Sequence, residues 1–417
     1  MSTTSMPSPE RIAVIGAGAA GMMAAATALA EGAEVTVFEQ NERPGRKLGI
    51  TGKGRCNLTN DCPVDEFLRS VTKNPRFLHS AVARFSPADT MAYFEALGVP
   101  LKTERGARVF PVSDRAADVV DALSSAMRGA MRVRGHVEAI VPTADGFAVT
   151  CGGRDYTAGR VILATGGLSY PRTGSDGSGY RLAKALGHRV TPLLPSLVPL
   201  ESPDGDCQRM QGLALKNVAL TVKDPSGRTV YEDFGEMLFT HFGLSGPMVL
   251  SASAHLHLPS LEGYTAVIDL KPALDEKTLD NRLLSELSAG ANRDLSNILS
   301  TLLPSSMIGV ALSRLGLAAD RKGHSIKKEE RRRLLALLKG FRIPLSGPRP
   351  IDEAIVTSGG IDVAEVDPRT MESRLVRGLY FAGEILDVDA YTGGFNLQIA
   401  FSTARLAAKA AATPRKE

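Results

Sequence analysis

The residues from Gly16 to Gly21 have the types and the spacing of a phosphate-binding turn. Their glycines follow the pattern Gly-x-Gly-x-x-Gly. The first glycine of this pattern permits a tight turn, the second lets the backbone approach a pyrophosphate, and the third lets strand and helix pack closely. Because a helix N-terminus carries partial positive charge, the segment predicts a dinucleotide pyrophosphate site. Its residues are Gly16, Gly18, Ala19, Ala20 and Gly21.

An acidic residue, Glu39, lies about twenty positions downstream, as the dinucleotide fingerprint requires. We expect its carboxylate to accept a hydrogen bond from a ribose hydroxyl, with Gln40 beside it. A glutamate here disfavours the 2′-phosphate of NADP, because two negative groups would meet. The fingerprint by itself does not separate NAD from FAD.

The elements around this turn predict a βαβ unit. Residues 11–15 are apolar and β-branched without alternation, which is typical of a buried parallel strand. An alanine-rich helix is predicted over 22–30, and a second strand over 34–38. Further strands are predicted over 132–141, 147–151 and 161–163, and a last helix over 397–412. The resulting fold class is α/β and Rossmann-like.

Other glycine-rich segments favour FAD over NAD. The stretch from Gly49 to Asn60 holds three glycines with Lys53 and Arg55, which suits close backbone contact with an anionic ligand. Glycine turns also follow the predicted strands near residues 164–167 and 383–384. An NAD domain needs no such distant C-terminal turn, whereas FAD has a long ribityl chain and a large ring to hold.

The chain is long enough for two domains. It has 417 residues, with 43% hydrophobic and 23% charged residues. Proline-rich stretches bound a segment of different character. We therefore predict an FAD domain over 1–190 and 349–417, interrupted by an insert over 191–348. The net charge of +4 is small for a chain of this length and does not indicate nucleic-acid binding. The four cysteines lack paired C-x-x-C spacing, so we expect no metal site.

The expected location is the cytoplasm. The first residues lack the basic and apolar regions of a signal peptide, and the apolar run at 22–30 is too short to span a membrane. We expect no membrane partner.

Six motifs together resemble the BaiN/YhiN-like family of FAD-dependent oxidoreductases. They occur in this order: GAGAAG, GRCNLTN, ATGG, THFGLSGP, GLYFAGE and YTGGFNLQIAFSTA. The resemblance covers residues 11–412. It implies a glutathione-reductase-type FAD domain, discontinuous in sequence, with an inserted small β-barrel followed by a helical part.

The resemblance also implies the residues that would hold FAD, which we expect to be bound non-covalently. The 49–60 loop would run along the cofactor, Val137 would bind the adenine through its backbone, and Glu384 would lie near the ribityl chain. Lys47 or Arg46 would face the phosphates. The expected contacts beyond the first turn are Arg46, Lys47, Thr51, Gly52, Gly54, Arg55, Cys56, Asn57, Val137, Ala164, Thr165, Gly166, Gly383, Glu384, Gly393, Gly394, Phe395, Asn396 and Leu397.

No catalytic residue is assigned by the sequence, but three are candidates. Cys56 beside a flavin could be a redox partner or acid, although it has no resolving cysteine at C-x-x-C spacing, so a space-filling thiol is favoured. His241 could donate a proton or be structural. Tyr391 could donate a proton or pack on the ring.

We expect an FAD-dependent oxidoreductase that transfers hydride from reduced flavin to a small organic acceptor. The resemblance to bile-acid-type reductases suggests a C=C next to a carbonyl, with NAD(P)H as a transient electron donor. One alternative is an RNA-modifying flavoprotein that uses the basic run 321–333, although acids in that run favour a solvated helical face. Another is a non-catalytic FAD-binding sensor or scaffold. The sequence leaves the oligomeric state open.

Overall fold

A computed structural model describes residues 9–256 and 259–414. The predicted absence of a signal peptide concerns a stretch that lies mostly outside these residues. The chain divides into two compact units. Unit 1 holds the described residues up to Ser196 and from Ile351 onward, and unit 2 is Leu197–Pro350. The sequence expectation placed these boundaries at 190/191 and 348/349.

The strands and helices are named in chain order. The strands are β1 (Arg11–Ile15), β2 (Glu34–Glu39), β3 (Thr59–Asn60), β4 (Leu101–Glu104), β5 (Arg108–Pro111), β6 (Met131–Arg134), β7 (Val137–Thr143), β8 (Gly146–Cys151), β9 (Arg154–Ala158), β10 (Arg160–Leu163), β11 (Leu194–Ser196), β12 (Leu200–Glu201), β13 (Ala214–Lys223), β14 (Thr229–Thr240), β15 (Gly243–Ser245), β16 (Thr265–Asp269), β17 (Phe341–Pro344), β18 (Gly347–Pro348), β19 (Val356–Ser358) and β20 (Leu379–Phe381). The helices are α1 (Ala19–Ala30), α2 (Arg46–Gly54), α3 (Val64–Arg69), α4 (His79–Arg84), α5 (Pro87–Ala96), α6 (Ala116–Ala126), α7 (Ser178–Ala185), α8 (Asp206–Arg209), α9 (Pro247–Leu256), α10 (Glu276–Ala289), α11 (Leu295–Leu299), α12 (Ser305–Leu315), α13 (Lys328–Lys339) and α14 (Phe395–Ala412). Short 3-10 turns cover Pro75–Leu78, Pro171–Thr173, Gly323–Ser325, Ile351–Glu353, Val363–Glu365 and Gly383–Ile385.

A five-stranded sheet in the order β20-β10-β1-β2-β6 forms the core of unit 1. Every neighbouring pair in it is parallel. Its central strands are buried because helices α1 and α14 pack on the sheet and the three-stranded sheet β7-β8-β9 contacts β1 and β10, which explains their unbroken apolar sequences. This confirms the predicted α/β, Rossmann-like fold class. Because parallel strands end at one edge, the glycine turns after β1, β10 and β20 lie side by side.

The predicted strand over 132–141 is two strands. β6 joins the parallel sheet beside β2, whereas β7 pairs antiparallel with β8 in a separate three-stranded sheet, β7-β8-β9. The chain changes partner at Gly135, whose N–H donates to the carbonyl oxygen of Glu39. The extended backbone predicted for residues 132–141 is present, but the prediction of one continuous strand is wrong. The periodicity of a strand does not specify which strand it pairs with.

Helix α14 packs in the core of unit 1. It is buried on most of its surface, with Phe401, Ala404 and Ala408 fully buried. The hydroxyl of Thr403 accepts a 2.9 Å hydrogen bond from the N–H of Gly383. This contact fixes the turn after β20 against the C-terminal helix.

Unit 2 is built on an antiparallel seven-stranded sheet in the order β17-β16-β13-β14-β15-β12-β18. The chain from Phe341 to Pro348 pairs with β16 through β17 and with β12 through β18, so it bridges the two ends of the sheet. Helices α10 to α13 follow one another between β16 and β17. Over the described residues, no helix combines the length and the apolar character needed to cross a membrane.

Candidate functional site

The turn between β1 and α1 has the geometry of a phosphate-binding loop. A Cβ added to Gly16 would lie 2.7 Å from the carbonyl oxygen of Ala164, and one on Gly21 would lie 1.8 Å from that of Gly16. A Cβ on Gly18 would meet no atom within 4 Å. Gly18 is also the N-cap of α1, with no side chain capping the helix. The first N–H groups of α1 have no intrahelical partner, so space and donors for a pyrophosphate meet at Gly18.

Glu39 lies directly beside this turn, at the end of β2. One carboxylate oxygen accepts a 2.8 Å hydrogen bond from the N–H of Ala17. The other accepts from the backbone and side-chain nitrogens of Asn41, at 2.8 and 2.7 Å. The carboxylate of Glu39 thus lies beside the glycine turn, and its role as a ribose ligand stays a prediction.

Gln40, the residue after Glu39, contacts His136, and His136 lines a cavity of about 440 Å³. The amide nitrogen of Gln40 donates to the carbonyl oxygen of Gly174, and its amide oxygen lies 3.1 Å from Nδ1 of His136. Val137 lines this cavity together with Arg181. The residue predicted to bind adenine therefore lines a cavity, and His136 in the same lining contacts Gln40, the neighbour of Glu39.

The loop from Gly49 to Asn60 departs from helical geometry within α2. Gly52, Lys53 and Gly54 have left-handed backbones, with φ of 57°, 60° and 85°. Among the described residues, the side-chain oxygens Asn57 Oδ1 and Thr165 Oγ1 are buried without a hydrogen-bond partner. Leaving such an atom unpaired costs about 1–3 kcal/mol. Both residues belong to the predicted cofactor set, so the set fits a ligand that supplies the missing hydrogen bonds.

Arg55 also belongs to the predicted cofactor set, but its guanidinium is bound to other protein side chains. It bonds the carboxylates of Glu104 and Asp114 and stacks 4.2 Å from the centre of the Phe110 ring. These partners hold the guanidinium on a surface ion-pair network with Lys102. Any contact of Arg55 with FAD would therefore come from its backbone.

Lys47 and Glu384 meet in one network, although the sequence suggested separate roles for them. Lys47 Nζ lies 2.7 Å from Glu384 Oε2 and 2.7 Å from Ser169 Oγ. Glu384 Oε1 also accepts from the N–H of Thr357 and the hydroxyl of Ser169, at 2.9 and 3.0 Å. Ser169 and Thr357 are not among the residues predicted from the sequence. Ser169 lies just past the glycine turn at 166–167, a signal that could have found it.

The turn that opens α14 is packed against β3. Gly393 and Gly394 have φ of 132° and 98°, and a Cβ on Gly394 would lie 2.3 Å from the carbonyl oxygen of Thr59. Asn60 donates to the carbonyl oxygen of Gly393 at 3.1 Å. A side chain at Gly394 would thus disturb the protein itself, whether or not FAD is bound.

The residues after that turn anchor it from the other side. Asn396 bonds both the N–H and the carbonyl oxygen of Ala390, at 3.0 and 2.8 Å. Phe395 packs on Phe67, with ring centres 5.6 Å apart, and Leu397 is half-buried against the core. Arg46 bonds the side-chain oxygen of Asn41 at 2.8 Å, next to Glu39.

The three catalytic candidates have different surroundings. His241 lies in unit 2, exposed in the turn between β14 and β15, with its ring against Phe242. Tyr391 is half-buried in unit 1, and its N–H donates to the carbonyl oxygen of Ser70. Cys56 is fully buried, and burial raises the pKa of its thiol to about 12.

The raised pKa predicts an unreactive Cys56. Because burial disfavours the thiolate, the thiol stays neutral until the pH approaches 12, whereas nucleophilic cysteines are thiolates near neutral pH. We expect iodoacetamide at pH 8 to leave Cys56 unmodified in the native protein and to modify it in denaturant, as read by peptide mass spectrometry. Rapid native alkylation of Cys56 would contradict this buried, neutral state.

The basic run 321–333 is largely paired within unit 2. Arg321 bonds Glu330, Lys322 lies 2.7 Å from Asp294, and Arg331 lies 2.8 Å from Asp280. Arg333 donates to the carbonyl oxygen of Leu315. These partners neutralise much of the positive charge on which the nucleic-acid alternative depended.

In the described ranges, no group of three His, Cys, Asp or Glu side chains could hold a metal ion.

Comparison with known proteins identifies the family. The family model described as "HI0933-like protein Rossmann domain" matches residues 10–410. The chain is 34% identical to the 3-dehydro-bile acid delta(4,6)-reductase of Clostridium scindens, over 96% of this chain and 99% of that protein. It is also 34% identical to the ribosomal RNA dihydrouridine synthase of Escherichia coli K12, over 94% and 95% of the two chains.

A solved structure shares the fold. The 3-ketosteroid-delta4-(5alpha)-dehydrogenase of Rhodococcus jostii RHA1 superposes with a TM-score of 0.52 at 15% identity, covering 99% of both chains. The resemblance noted in the six motifs is thereby confirmed. The chain belongs to the HI0933-like family of Rossmann-fold proteins, and it is an FAD-dependent oxidoreductase.

Proposed function

We propose that this protein reduces a C=C bond conjugated with a carbonyl group in a small organic acceptor. The proposal depends on one observation: the two relatives reported above are named for reactions of the same type. A bile-acid delta(4,6)-reductase and a dihydrouridine synthase both saturate such a bond, in a steroid ring and in uracil respectively. When bound and reduced, FAD supplies the hydride for this reaction.

The protein's part is to bind and orient the cofactor, for which we propose the residues named above. The Gly16–Gly21 turn would hold the pyrophosphate, Glu39 the ribose, and Val137 the adenine. The open space at Gly18 and the unpaired oxygen of Asn57 support this assignment. Binding is proposed to be non-covalent.

We assign proton donation to Tyr391 in preference to Cys56. The pKa of the Cys56 thiol, raised to about 12 by burial, makes it a poor acid near neutral pH. Tyr391 lies two residues before the glycine turn that opens α14, within unit 1. His241 stays a second candidate.

NAD(P)H is the proposed electron donor. The chain has one dinucleotide fingerprint, and FAD would occupy it, so the nicotinamide would dock transiently. Anaerobic mixing with NADH and with NADPH, followed at the flavin absorbance band, tests the donor. Bleaching by neither nucleotide would require another reductant.

Removing Glu39 should weaken FAD binding. Glu39→Ala removes a charge-assisted hydrogen bond to the ribose, which is worth about 1.5–3 kcal/mol. We therefore expect roughly a tenfold to hundredfold rise in the FAD Kd, measured by fluorescence quenching of the apoprotein. Glu95→Ala, an exposed change on α5, is the control. An unchanged Kd would remove Glu39 from the ribose site.

A second candidate acceptor is a uracil base in RNA. It is favoured by the relative in E. coli, whose identity to this chain equals that of the bile-acid enzyme. An acceptor panel tests both: a steroid 4,6-dien-3-one, free uridine and a uridine-containing RNA are each added anaerobically to the reduced enzyme. Flavin reoxidation by one of them identifies the acceptor class, and reoxidation by none contradicts the proposed function.

A further inference from the structure

A basic groove of about 540 Å³ lies on unit 1 around the connection from α3 to α4. Three of its lining side chains can carry positive charge and are exposed, and the others are apolar. Its lining residues are Leu68, Arg69, Val71, Pro75, Arg76 and His79. The acidic residues in the first turn of α3, Asp65 and Glu66, are not part of this lining.

The cations of the groove are uncompensated. Within the part of the chain that the structure describes, no hydrogen bond or ion pair involves the side chains of Arg69, Arg76 or His79. The neighbouring Lys73, by contrast, is paired with Asp387 at 2.7 Å. Because the arginines keep their charge, the groove has a positive potential that would attract an anion.

The groove is joined directly to the candidate site. Val71 forms an antiparallel bridge with Ala390. The N–H of Tyr391 donates to the carbonyl oxygen of Ser70 at 3.1 Å, and that of Thr72 donates to the carbonyl oxygen of Asp389 at 2.9 Å. One wall of the groove is therefore hydrogen-bonded to the segment that leads into the glycine turn of α14.

We propose that this groove binds phosphate groups of an RNA strand that presents a base to the site. The inference rests on the second candidate acceptor of the proposed function, a uracil base in RNA, and assigns the surface that would hold the strand. The positive groups lie on three successive elements: the last residue of α3, the 3-10 turn, and the first residue of α4. A single carboxylate needs only one bidentate arginine, whereas a spread of cations suits the repeated charges of a phosphodiester backbone.

The test measures binding of a labelled single-stranded, uridine-containing oligonucleotide by fluorescence anisotropy, with FAD-loaded protein over a series of KCl concentrations. The variant R69A/R76A removes the two arginines of the groove. Its matched control, R128A/R154A, removes two other exposed arginines of unit 1. FAD content and far-UV circular dichroism verify that both variants are folded.

We expect R69A/R76A to weaken binding roughly tenfold or more at low salt. It should also reduce the slope of log K against log[salt] by about 1.4, because each phosphate contact on a single strand contributes about 0.7. The control should match the wild type. Equal losses in both variants would show diffuse charge attraction, and no loss in R69A/R76A would exclude the groove. Either result overturns the proposal.

A second binding measurement uses cholate, a steroid carboxylate, in place of the oligonucleotide. If R69A/R76A weakens binding of cholate and leaves oligonucleotide binding intact, the groove takes a small carboxylate and the proposal is wrong. The proposed reaction is measured separately, with a small acceptor that carries no phosphate. Loss of groove-dependent RNA binding leaves that reaction intact, and failure of that reaction leaves the binding result intact, so the two failures are distinguishable.

Discussion

Gly18→Val should produce a folded protein that no longer retains FAD. A Cβ at Gly18 would meet no protein atom within 4 Å, and the backbone there is extended, a conformation that valine adopts readily. The same side chain would occupy the space of the pyrophosphate and block the N–H groups of α1. Losing two hydrogen bonds to a charged group, at about 1.5–3 kcal/mol each, implies at least a roughly hundredfold rise in the FAD Kd.

The matched control is Gly21→Ala, three residues away. Its Cβ would lie 1.8 Å from the carbonyl oxygen of Gly16, an impossible contact that must displace β1 or α1. We expect Gly21→Ala to lose about 3 kcal/mol or more of unfolding free energy, measured by urea denaturation of the apoprotein. Gly18→Val apoprotein should lose only about 1 kcal/mol, the typical cost of a poor N-cap residue. If Gly18→Val binds FAD normally, the pyrophosphate does not lie at this turn.

Breaking the Lys47–Glu384 pair should destabilise the protein and reduce FAD binding. The two side chains are 20% and 21% exposed. In Lys47→Met, the Glu384 carboxylate loses its cation while it stays largely out of water. We expect Lys47→Met to cost about 2–3 kcal/mol of unfolding free energy, below the 3–5 kcal/mol of a fully buried pair because solvent still screens the charges.

A double-mutant cycle isolates the pair from its surroundings. Glu384→Gln keeps an acceptor for Thr357 and Ser169, so it removes mainly the charge. The double variant should be more stable than the sum of the single losses predicts, by about 1–2 kcal/mol of coupling free energy. Arg46→Met, whose side chain bonds only the neutral Asn41, is the matched control and should cost far less. Strictly additive losses would show that the contact contributes nothing as a pair.

The local parts of the fold were predictable from the sequence. The β1–α1–β2 unit was found because apolar runs and glycine spacing are encoded in consecutive residues. The positions of Glu39 and the glycines followed from the same local pattern. The split of the 132–141 strand did not, because the partner of β7 is chosen by the fold and not by its own periodicity.

Long-range side-chain pairing was the part that the sequence did not reveal. Lys47 and Glu384 are 337 positions apart, and only the fold brings them together. Arg55 was predicted to contact the cofactor, yet its guanidinium is held by Glu104, at the end of β4, and by Asp114, which follows β5. Charge in a loop predicts that some anion will be bound, but it does not specify which one.

Isotope transfer tests the central claim most directly. The enzyme is reduced anaerobically in D₂O and is mixed, still in D₂O, with each acceptor of the panel. Hydride transfer to the carbon β to the carbonyl and protonation of the α carbon predict a saturated product with deuterium at both carbons, detected by mass spectrometry and NMR, together with reoxidation of the flavin. Flavin reoxidation without a saturated product, or no reoxidation by any conjugated acceptor, would contradict the account.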